Sequence, residues 1–156
     1  DRSNGMSHIE EATTTLKFTS LAALMRQGDR DAIEQHPCMA LLRQAVTLVA
    51  TAHHGTVGAT YDNYSGYKQH TNTNLALHIP GKLPRGIGLV IDQQTGTLSF
   101  RGDPWAHEAF FAEVQQKIVQ HYVVLAHAAA LRRMHAQVST QVLDNQQVVI
   151  TGVLHG

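Results

Sequence analysis

The sequence predicts an α+β fold: an antiparallel sheet of about five to seven strands, with one long helix over about residues 105–133 and a shorter N-terminal helical region packed on one face. Two observations carry this. Leu75, Leu77 and Ile79, then Ile87, Leu89 and Ile91, alternate with other residues at the period of half-buried strands. Phe111, Val114, Ile118, Tyr122, Leu125 and Ala129 instead recur every three or four residues, which is the stripe of an amphipathic helix.

Taken in order, Ile9, Thr13, Thr14, Thr15, Leu16 and Phe18 are β-branched, apolar or aromatic residues that suit an extended first strand over 8–18. Thr19 or Ser20 can cap a short helix of strong helix formers, Leu21 to Met25, which ends near Gly28. Pro37 interrupts the stretch from Asp31 to Arg43, so a turn and a second helical piece are expected there. Val46 to Ala50 is short and β-branched, which favours a strand. From His53 to Asn74, glycine, tyrosine and small polar residues replace aliphatics, and this reads as a long loop.

Pro80-Gly81 closes the strand at 75–79, and Asp92 to Gly96 turns the strand at 87–91 into Thr97 to Phe100 as a hairpin. Asp103-Pro104 supplies an N-cap and a first-turn proline for the long helix. Glu113, Gln116, Lys117, Gln120 and His127 cluster on its other face, whereas Val123 to Leu131 is apolar nearly all round and needs cover on more than one side. Val138, Thr140 and Val142, then Val148 to Ile150, suggest a closing hairpin with an Asp144-Asn145 turn.

The 156 residues suffice for one domain with a sizeable core, over 6–156. Residues 1–5 precede Met6 and read as a vector-derived remnant. Twelve basic residues balance twelve acidic ones, so no positive field favours nucleic acid. The apolar runs fall short of the roughly eighteen residues that cross a bilayer. With the single Cys38, no internal disulfide or thiolate zinc site is available, and a cytoplasmic setting is expected.

Eleven histidines stand out in the composition. They lack a His-x-x-x-His or His-Glu-x-x-His spacing, so a metal site would have to be assembled across the fold, for example from His53, His70 or His78. Cys38 follows Pro37 and reads as a small buried thiol rather than a nucleophile, and the absence of a Gly-x-Ser-x-Gly elbow leaves no serine candidate. Catalytic residues are therefore not assigned, cofactors stay unknown, and enzymatic activity is less expected than its absence. Gly81-Lys82-Leu83-Pro84-Arg85-Gly86 is basic but reads first as a strand connection. Tyr61, Tyr64, Tyr67 and Lys68 interleave with small polar residues; they suit either a partner-binding surface or a loop held by its own tyrosines.

The opening Met6-Ser7-His8, the segment Gly66-Tyr67-Lys68-Gln69-His70-Thr71, the run Ile87-Gly88-Leu89-Val90 and the helical Lys117-Ile118-Val119-Gln120-His121-Tyr122 occur in an order that resembles the Ycf35 family, the DUF1257 domain. The chain departs from that pattern at His121, where the family tends to have arginine, and at Leu89, where it has an aromatic residue. The likeness covers most of 6–152 and implies no catalytic motif. It implies an accessory role beside an AAA-type ATPase, and it draws attention to Lys117, Gln120, His121 and Tyr122 as a helix site. The expectation is a non-enzymatic accessory or adaptor protein, homo-oligomeric through the apolar half of the long helix. The alternative is a small-molecule or metal-binding protein, with enzymatic activity left open, that has a histidine-containing pocket near loop 53–74.

Overall fold

Residues 8–63 and 69–145 are described by the structure, a computed structural model. The elements run β1 (Glu10–Lys17), α1 (Thr19–Gln27), α2 (Arg30–Gln35), α3 (Pro37–Ala52), β2 (Thr56–Asn63), β3 (Gln69–Ile79), β4 (Leu83–Ile91), β5 (Thr97–Gly102) and α4 (Glu108–Asn145). The strands form one antiparallel sheet in the order β1-β5-β4-β3-β2. Strands β2 to β5 are a meander. The three helices between β1 and β2 carry the chain from one edge to the other.

Local chemistry sets the helix ends. Gly28 closes α1 in the left-handed region, and its N–H bonds back to Leu24 and Met25. Asp29 Oδ1 then accepts from the Ala32 N–H to cap α2. His36 caps α3 through Nδ1, which accepts from the Cys38 N–H, and Pro37 occupies the first turn.

One face of the sheet carries the core. Leu75, Leu77 and Ile79 of β3, Ile87, Leu89 and Ile91 of β4, and Leu98 and Phe100 of β5 are buried. They form one cluster with Leu21 of α1, with Leu42, Val46 and Val49 of α3, and with Phe111, Val114, Ile118 and Tyr122 of α4. Each such side chain contributes roughly 1.5–3 kcal/mol of burial. The expected α+β architecture with helices on one face is therefore what the chain adopts. Among the described residues no helix is long and apolar enough to cross a membrane.

Four expectations are corrected. Val46 to Ala50 is helical, because Met39, Leu42, Ala45, Val46 and Val49 are spaced to bury one face of α3 and Pro37 starts that helix instead of breaking it. The segment 53–74 is largely strand: β2 pairs with β3 from Thr56–His78 to Asn63–Gln69. Helix α4 begins at Glu108, not at Pro104, because the Asp103 carboxylate is taken up by Arg85 and by the Trp105 N–H, and Trp105 and Ala106 follow with φ of 38° and 68°. The first arm of the closing hairpin is part of α4, which continues to Asn145; its second arm, 148–150, lies outside the described residues.

Candidate functional site

Helix α4 is 38 residues long, roughly 57 Å at 1.5 Å per residue. Its inner face holds Phe111, Val114, Ile118 and Tyr122, and among the described side chains Leu125 and Ala126 are the last of its hydrophobic residues packed on the core. Stepping about 100° per residue, Val124, Leu131 and Met134 fall on the side opposite that face. They are 67 %, 49 % and 50 % exposed. The apolar run at 123–131 is thus split: Leu125 and Ala126 are covered, whereas Val123, Val124 and Leu131 face water.

Lys117 and Gln120, two members of the expected helix site, are exposed; His121 is half-buried and Tyr122 is buried. Burial first, then the neighbouring Cys38 thiol, push the Tyr122 phenol well above the ordinary tyrosine range. The ring also meets Phe18 edge-on at 5.2 Å. Tyr122 is a core residue by this geometry.

Beside α4 lies a depression of about 440 Å³, lined by Ala12, Thr13 and Thr14 of β1, Phe100 of β5, and Gln115, Gln116, Val119 and Gln120 of α4. It exists because β1 is the edge strand and its inward residues are only half-covered.

On the helix-free face, two depressions of about 390 and 360 Å³ share Val90, Asp92 and Arg101. Their walls mix hydroxyls and amides, among them Asn72, Thr73, Asn74, Thr97 and Ser99, with charged Glu11 and apolar Met25 of α1. The Gln94 and Thr95 N–H groups donate to Asp92 Oδ1, each at 2.8 Å, and the Thr95 and Gln94 bonds hold its carboxyl below the ordinary range.

The expected partner-binding residues divide. Tyr61 is 4 % exposed, with its ring laid over Gly88, so it is structural; a Cβ on Gly88 would sit 2.7 Å from Tyr61 Cδ1. Tyr64, Tyr67 and Lys68 lie outside the described residues.

The three histidines suggested for a metal do not converge. His53 ends α3 with its ring edge-on to Phe110. His70 Nδ1 lies 2.7 Å from the buried Asp62 Oδ1 across the β2–β3 hairpin. His78, eight residues along β3, has Nε2 2.8 Å from Thr60 O and Nδ1 3.1 Å from Pro84 O, so each nitrogen faces a backbone carbonyl. Among the described residues no group of three or more His, Cys, Asp or Glu is placed to hold a metal ion.

Sequence reasoning missed the Arg85, Asp103 and Trp105 cluster. Arg85 donates to Asp103 Oδ2 at 2.7 Å and stacks its guanidinium 4.5 Å from the centre of the Trp105 ring. It fastens the start of α4 to β4. The apolar surface expected on the second half of α4 is narrowed by the structure to the exposed Val123, Val124, Leu131 and Met134.

Comparison with models of known families, with characterised proteins and with solved structures returns no match to this chain.

Proposed function

We propose that this chain is a non-enzymatic accessory or adaptor protein that presents α4 as its interaction element and self-associates through it. The observation that carries this reading is the exposure of Val124, Leu131 and Met134 on the side of α4 opposite the core. Large apolar side chains grouped on one exposed helix face mark interaction surfaces more often than idle surface. The exposed polar residues Gln120 and Lys117 continue the same face toward the start of α4. An AAA-type ATPase is the partner class that the likeness to the Ycf35 family implies, and a setting in the cytoplasm agrees with the single cysteine.

The test is affinity purification from the native host with the natural chain and with the doubly substituted Val124→Glu, Leu131→Glu chain. A stoichiometric partner retained by the first and lost by the second is the expected result. Identical sets of copurifying proteins would remove the stripe from the proposal.

A second reading, a binder of small polar molecules, is favoured by the hydroxyl- and amide-lined depressions on the helix-free face, which include Asn72, Thr73 and Asn74 at the end of the segment expected to border a pocket. A thermal shift screen of polyols, sugars and carboxylates, repeated on Arg101→Gln, tests it.

A further inference from the structure

From residue 120 onward the exposed side of α4 reads Gln120, Val124, His127, Leu131, Met134 and Val138, at alternating steps of four and three. This is the narrow seam of a two-stranded coiled coil, not the broader stripe of a helix lying on a sheet. It spans roughly 27 Å at 1.5 Å per residue; Gln120 and His127 along it are exposed like Val124, Leu131 and Met134, and Val138 at its end is half-buried.

We infer that α4 pairs with α4 of a second copy of the chain in an antiparallel coiled coil centred near Ala129. This deepens the self-association proposed above and rests on that reading.

Charge decides both the occupant and the direction. The positions flanking the seam, Val123, Ala128, Ala130, His135 and Gln137, include no Asp, Glu, Lys or Arg. A copy of the same helix therefore brings no like charges together there, and a charge-selected foreign helix would find nothing to pair with. Continued toward the start of α4, the same spacing reaches Lys117 and Glu113, both exposed. Parallel pairing would set each against its own copy, Lys117 on Lys117 and Glu113 on Glu113, at a destabilising distance.

Antiparallel pairing about Ala129 removes the Lys117 conflict, by setting Lys117 opposite Gln141 of the second copy, and separates the two Glu113 residues, each of which comes opposite Asn145 and next to Asp144. Val124 then faces the second copy's Met134, His127 faces its Leu131, and Gln120 faces its Val138, while Lys117 and Glu113 run beside the end of the other helix, residues 139–145. The depression beside α4 shares Gln116 and Gln120 with this border, so it offers room where the tip of the second helix passes. The core of each copy stays outside the pair, because Ile118, Tyr122 and Leu125 are on the far side of the helix.

The experiment uses the full chain in a Cys38→Ser background. Sedimentation over a wide concentration range gives a dimer, and Leu131→Glu with Met134→Glu weakens it by at least about a hundredfold, since two unpaired charges are desolvated per helix. Both substituted positions are exposed, and an unchanged circular dichroism spectrum confirms that the fold is kept. Under oxidation, Val124→Cys chains mixed with Met134→Cys chains form covalent dimers, whereas either variant alone does not.

A monomer at every concentration overturns the inference while leaving the accessory role to the native-host purification. Self-crosslinking of Val124→Cys alone overturns the antiparallel direction.

Discussion

Arg85 Nη1 donates to Asp103 Oδ2 at 2.7 Å, and the Asp103 side chain is 1 % exposed. The pair joins the start of β4 to the connection that launches α4, and the other Asp103 oxygen accepts from the Trp105 N–H. Removing the carboxylate takes its buried ion-pair partner from Arg85 and frees a strained turn in which Trp105 and Ala106 hold positive φ. Asp103→Ala is therefore expected to cost about 3 kcal/mol or more of stability, measured by urea denaturation. Asp103→Asn keeps an acceptor for Trp105 and should cost less.

The phenol of Tyr122 gives a stability effect with a defined sign. Its ionisation is pushed up in the folded chain, so the folded state favours the protonated form. That contribution is complete below the ordinary tyrosine value of about 10 and is lost as pH rises above it, because the unfolded chain ionises first. Denaturation midpoints should fall steeply in strong alkali. Tyr122→Phe keeps the edge contact with Phe18 and should flatten that fall, at a cost under about 1.5 kcal/mol near neutrality. An unchanged alkaline slope in Tyr122→Phe would assign the effect to other groups.

The β3, β4 and β5 strands were legible because Leu75, Leu77 and Ile79, then Ile87, Leu89 and Ile91, then Leu98 and Phe100 place buried apolar residues at every second position. Val46 to Ala50 was misread because a five-residue window of β-branched residues conceals a period of three and four that only the whole of 37–52 reveals. Strand β2 was hidden for a different reason. It is an edge strand holding one core-packed aliphatic residue, the half-covered Val57, and its buried Tyr61 and Asp62 are types expected at the surface. The Arg85–Asp103 pair is separated by 18 residues, so no local spacing signals it. The start of α4 was misplaced for the same reason, since Asp103 looks like a cap until its distant partner is known.

His36 is a less common capping residue than the sequence would lead one to look for. Its Nδ1 accepts from the Cys38 N–H at 3.1 Å, and Nε2 lies 3.0 Å from Ser20 Oγ, which holds the ring in place. His36→Ala should cost about 1 kcal/mol, and His36→Asn should restore most of it as a competent cap. Thermal unfolding of the two variants side by side checks this.

Gly88 admits Tyr61 and Thr73 to the helix-free face of the sheet. A Cβ there would lie 2.5 Å from Thr73 Cγ2 and 2.7 Å from Tyr61 Cδ1. Gly88→Ala should therefore destabilise by about 1–3 kcal/mol through overpacking. Thr73→Ser in the same chain removes the closer atom and should recover part of the loss; an equal loss in both would place the strain at Tyr61.

Helix α4 has two faces of opposite consequence, and a pair of alanine substitutions separates them. Ile118 is fully buried against the sheet, so Ile118→Ala opens a cavity and should cost about 2–5 kcal/mol at any protein concentration. Leu131 is 49 % exposed and is not a member of the core cluster. In a dilute, monomeric sample Leu131→Ala should change stability by no more than about 0.5 kcal/mol. Where the chain self-associates, pairing adds to the stability of the folded state by mass action, so the natural chain gains stability on concentration. Leu131→Ala should blunt that gain, whereas Ile118→Ala should lower stability without changing its dependence on concentration. Unfolding followed at two widely separated concentrations distinguishes the faces, and a concentration-independent loss in Leu131→Ala would place that residue in the monomer's own core.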